Sequence, residues 1–105
     1  MRAAATQRRV VVSGLGIVSP LGLTVADTWR GILEGRSGIG PLTHFDVSQF
    51  PVRFGGSIRG FEVEKYIPPK EARKMDPFIH YGIAAAVQAL SDAGLEVTEA
   101  EAPMV

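Results

Sequence analysis

The sequence predicts an α/β fold, and three observations carry that prediction. Val10, Val11 and Val12 form a β-branched run with apolar residues on both strand faces, the pattern of a strand covered from two sides. Two later stretches, after Thr24 and after Asp76, repeat apolar residues at helical spacing. Glycine and proline punctuate the joints between them. A two-sided strand is stable only in a sheet with helices above and below. The remaining residues offer two helices and few partner strands, so the sequence implies a layered fold that this chain does not complete.

Taken in order, Gly14 and Gly16 allow a tight turn or a close approach to another segment, and Pro20 and Gly22 mark the exit. Thr24 is placed to cap a helix, with Asp27 three residues on as a short-armed capping acid. Val25, Trp29, Ile32 and Leu33 then make an apolar stripe, Gly35 suits a left-handed end, and Gly38, Gly40 and Pro41 keep the helix from restarting. From Leu42 to Tyr66, Phe45, Val47, Phe50, Val52 and Phe54 are apolar but do not alternate steadily. That region predicts irregular structure with one short extended segment near Val52 to Ile58. Pro68 and Pro69 open a short helix running to Met75.

Asp76-Pro77 begins the second long helix, which runs to about Ala93 and ends at Gly94. Ile79, Ile83, Val87 and Leu90 form one stripe, and Phe78, Gly82, Ala85, Ala86 and Ala89 cover much of the rest. Only His80, Ala84, Gln88, Ser91 and Asp92 leave a narrow, mainly polar face. This composition predicts a buried helix, with small residues permitting close backbone approach.

Composition narrows the function classes. With 105 residues the chain holds one domain at most. Its 46% hydrophobic and 21% charged content is that of a globular protein. Eleven basic and eleven acidic residues cancel, so no global field points to nucleic acid or to an anionic membrane. There is no cysteine, which excludes disulfides, thiolate metal sites and a cysteine nucleophile within these residues. No apolar run reaches the ~18–20 residues needed to span a bilayer. Residues 1–7 lack the apolar core of a secretory signal and read as a disordered tail on a cytoplasmic protein.

Several candidate sites fail on chemistry. Gly14-x-Gly16 after a strand lacks the third glycine of a dinucleotide loop, and Pro20 interrupts the helix such a loop requires, so a packing turn is the better reading. Gly35 to Gly40 has the glycine spacing of a P-loop, but Pro41-Leu42 replaces the lysine and hydroxyl residue, which removes the phosphate and magnesium contacts. His44 and His80 lie far apart with no shared carboxylate spacing, so no metal site follows. His80 reads as a surface or hydrogen-bonded helix residue. No serine sits in a nucleophile elbow. No cofactor is implied. One polar cluster stands out: Lys70, Arg73 and Lys74, at i, i+3 and i+4, share one helical face that Glu71 does not neutralise. By itself such a cluster is usually a solvated face.

The motifs in series nonetheless resemble a known family. Arg8–Gly22, Gly35-Arg36-Ser37-Gly38-Ile39, His44-Phe45-Asp46, Phe54-Gly55-Gly56, the run Lys70–Gly82 and Ala93-Gly94-Leu95 resemble, in that order, the opening of the β-ketoacyl-acyl-carrier-protein synthases. Several motifs in order are more specific than any one, and they look most like the type II enzymes acting on medium and long acyl chains. The resemblance implies a thiolase-like α/β/α layered fold, of which residues 8–105 would be a truncated N-terminal part. It implies elongation of acyl chains by decarboxylative Claisen condensation with malonyl carrier protein, and a homodimer for the full-length enzyme. It also implies that Lys70, Arg73 and Lys74 dock the acidic acyl carrier protein. The family's catalytic cysteine and two histidines lie downstream of the matched region, so the chain alone is expected to be inactive. A non-catalytic carrier-binding module and a fragment of a polyketide-type ketosynthase are the alternatives.

Overall fold

Local signals set the first helix in the computed structural model, which describes residues 7–98. Helix α1 (Val25–Leu33) starts where Thr24, in extended backbone, accepts a 3.1 Å hydrogen bond on its Oγ1 from the Asp27 amide. Asp27 does not turn back to complete a capping box; its carboxylate pairs with Arg30 at 3.1 Å. Before α1, a Ser19–Gly22 turn is closed by two backbone hydrogen bonds, and the Ser19 hydroxyl lies 2.7 Å from that of buried Thr28.

The valine run departs from expectation. Val10, Val11 and Val12 are 93, 72 and 78% exposed, and among the described residues no strand pairs with them. The physical reason is a lack of partners. Strand β1 (Ile39–Pro41) and strand β2 (Phe54–Gly56) are three residues each, and they pair antiparallel with each other, Gly40 opposite Gly55. β2 lies within the extended segment expected near Val52 to Ile58. β1 was hidden by Gly38, Gly40 and Pro41, which look like breakers yet leave the narrow profile a hairpin needs to lie over the Ser19–Gly22 turn. A Cβ on Gly56 would sit 2.9 Å from Pro20 Cγ. Between the strands, Arg53 bonds the carbonyls of Phe50 and Ser48 at 3.1 Å each and ties the irregular loop to itself.

A single 3-10 turn (Val63–Lys65) leads to helix α2 (Pro69–Ala72), which stops short of the expected Met75. Phe61 stacks on Tyr66 and meets the edge of Tyr81, joining this region to helix α3 (Pro77–Ala93). Asp76 takes the extended N-cap conformation without a side-chain cap bond, and Gly94 ends α3 at φ +67°.

The orientation of α3 is the second departure. Its polar stripe faces the rest of the described chain, and of the apolar stripe only Ile79 and Ile83 are half-buried. Ala84 is fully buried, and Gln88 and Asp92 reach the backbone of the N-terminal segment. Phe78, Val87 and Leu90 remain exposed, so the expected buried helix is covered along only one stripe here. The buried set is small, comprising Ile67, Ala72, Ala84, Thr28 and Gly31. The radius of gyration is 18.5 Å. A compact domain of this length would measure about 13 Å. No helix among the described residues is long and apolar enough to cross a membrane.

Candidate functional site

A short turn of chain carries the three cations singled out by sequence. Proline at its first position supplies the helical φ, and α2 winds through amide bonds from Ala72 to Pro68 O (2.9 Å) and from Arg73 to Pro69 O (3.1 Å). Arg73 keeps helical dihedrals, and the Lys74 amide reaches Glu71 O at 3.0 Å, so the winding persists past the end of α2. Lys70, Arg73 and Lys74 all stay exposed. The ion pairs among the described residues are Arg30–Asp27, Arg36–Glu34 and Lys65–Glu62, and none involves this cluster. Glu71 shares the turn without pairing to its neighbours. The result is a concentrated positive surface on a turn anchored from beneath by Ile67 and Ala72, 4 and 7% exposed.

His80 joins this anchor. Its Nε2 lies 2.9 Å from Ala72 O, so it is the hydrogen-bonded helix residue the sequence suggested. His44 sits elsewhere, exposed and edge-on to Phe45 at 4.7 Å, and the two imidazoles form no common site.

Gly14-x-Gly16 is a packing element. A Cβ on Gly16 would overlap the Ala85 carbonyl oxygen and lie 2.7 Å from Ala89 N, and one on Gly14 would lie 2.6 Å from Ala93 N. The Leu15 amide donates to Asp92 Oδ2 at 3.0 Å and the Ile17 amide to Gln88 Oε1 at 3.2 Å. Amides that a phosphate loop would aim at a ligand are thus committed to α3.

Two concavities escaped sequence reading. A cleft of about 620 Å³ lies between the hairpin and the start of α3, with Thr43, His44, Ser57, Arg59 and Tyr81 in its wall. An apolar groove of about 210 Å³ runs between the N-terminal segment and α1, lined by Leu15, Ile17, Val25, Trp29 and Ile32. The cleft's walls come from segments without periodicity, and the groove pairs the apolar stripe of α1 with Leu15 and Ile17, whose approach left no signal in the sequence.

Electrostatic docking is what the cationic turn can do chemically; no thiol exists in the 105 residues to carry a covalent intermediate. Comparison with known proteins identifies the family. The model of the β-ketoacyl synthase N-terminal domain matches residues 7–105. A 3-oxoacyl-[acyl-carrier-protein] synthase 2 from Vibrio cholerae is 52% identical over 100 residues, covering 95% of this chain and 24% of that protein. One of the same name from Synechocystis is 46% identical over 96 residues, covering 91% of this chain and 23% of the relative. In three dimensions the ishigamide ketosynthase/chain length factor aligns with a TM-score of 0.75 and 34% identity, over 87% of this chain and 23% of its own. The chain therefore spans about a quarter of the length of the relatives it matches. By its sequence match and its fold, the chain belongs to the β-ketoacyl synthase family, within that family's N-terminal domain.

Proposed function

We propose that this chain is the N-terminal segment of a 3-oxoacyl-acyl-carrier-protein synthase of fatty acid biosynthesis. The complete enzyme, a cytoplasmic homodimer, extends an acyl chain by two carbons. In that reaction the acyl group is held as a thioester on a cysteine. Malonyl carrier protein loses carbon dioxide, and the carbanion so formed attacks the thioester carbonyl, expelling the thiolate and leaving a β-ketoacyl carrier protein. The thiol and the groups that polarise the malonyl unit come from outside these 105 residues. The contribution of this segment is the cationic turn, where Lys70, Arg73 and Lys74 meet the acidic carrier protein, steer its approach and set its register.

The observation that supports this reading is the match of residues 7–105 to the family's N-terminal domain, joined to three exposed cations with no ion-pair partner among the described residues. Carrier binding measured by titration calorimetry at low salt tests it. Reversing Arg73 and Lys74 to Glu weakens binding by roughly tenfold or more, and raising ionic strength past ~0.15 M has a similar effect on the wild type. Unchanged binding in the double variant removes the docking role. A second prediction concerns chemistry: the chain incubated with a radiolabelled acyl thioester retains no covalent label.

A further inference from the structure

We propose that His80 is a positioning residue for the cationic turn, holding the end of α2 so that Lys70, Arg73 and Lys74 face outward as one surface. The inference rests on the carrier-docking reading above. With only four residues, α2 is too short to persist on its own propensity, and its last carbonyls lack intrahelical donors. One of them, Ala72 O, accepts the Met75 amide at 3.2 Å and the His80 imidazole at 2.9 Å. His80 projects from the first turn of α3, so the bond closes the elbow between the two helices from the inside, with Ala72 only 7% exposed. A carbonyl oxygen accepts only, which requires the hydrogen on Nε2. The three cations of the same turn are exposed to solvent. Fraying at Ala72 would spread their backbone anchors, and register among the three charges would go with them.

Side-chain length supplies the test. Glutamine carries its amide NH2 at about the reach of imidazole Nε2, whereas asparagine reaches only as far as Nδ1. In the full chain at low salt, His80→Asn raises the Kd for an acyl carrier protein about fivefold, the loss of one net hydrogen bond, while His80→Gln stays within about twofold of wild type. Amide exchange read by NMR supplies a measure independent of the carrier: Met75 exchanges faster in His80→Asn and is protected again in His80→Gln. Equal binding by all three proteins, or equal loss in both variants, overturns the proposal. Should the wild type fail to bind carrier, the docking reading falls. The clasp is then upheld by faster Met75 exchange with rescue by glutamine, and overturned by exchange that does not change.

Discussion

At Gly16 the N-terminal segment lies against α3 so closely that one methyl group has nowhere to go. Gly16→Ala is expected to destabilise the fold by about 1–3 kcal/mol, as overpacking against an unyielding backbone does. A urea titration followed by tryptophan fluorescence reads this, since Trp29 lines the adjoining groove. Gln88 is the companion residue. Its side chain accepts from Ile17 N and donates to Leu23 O at 2.7 Å and to the Tyr66 hydroxyl at 3.2 Å, joining three segments distant in sequence. Asp46 offers a pH test. The Ser48 amide first, and the Ser48 hydroxyl second, hold its carboxyl below the ordinary carboxylate value. A lowered folded-state value favours the turn above the unfolded carboxylate range and withdraws that support as pH falls through the folded value. The Ser48 amide signal should accordingly titrate at a pH below that of an unstructured aspartate.

Helices show which signals act locally and which do not. Thr24, Asp76-Pro77 and Gly94 sit on the turns they start or stop, so both long helices were legible from sequence almost to the residue. Gly94→Ala tests one of these signals, with an expected loss of about 1 kcal/mol in thermal unfolding because an alanine resists the left-handed conformation. The direction α3 faces was not legible. Its apolar stripe predicted burial, but the amides of Leu15 and Ile17 also needed partners and take them from Asp92 and Gln88. Strand β1 was missed for a related reason: Gly40 and Pro41 disfavour a strand in isolation and are tolerated in a three-residue pairing at an edge. Within the candidate site, charge and spacing identified Lys70, Arg73 and Lys74. Its clasp on Ala72 O stayed hidden, because a backbone carbonyl carries no sequence identity.

The whole molecule is more open than a domain of its length. Its described residues bury few side chains, and Trp29, Leu33, Phe54 and Phe78 stand largely exposed alongside Val10–Val12. A chain so built holds little stability in reserve, so its thermal midpoint read by circular dichroism should be low. Apolar side chains on α1 and α3 and the valine run are thus left open to solvent among the described residues. Meanwhile Val10, Val11 and Val12 lie outside any strand or helix directly after Arg8 and Arg9, and all five residues are exposed. The two guanidinium groups act as gatekeepers, because their mutual repulsion opposes stacking of the valines into fibrils. A polyanion such as heparin would cancel that repulsion and seed cross-β assembly at concentrations where the chain otherwise stays dispersed.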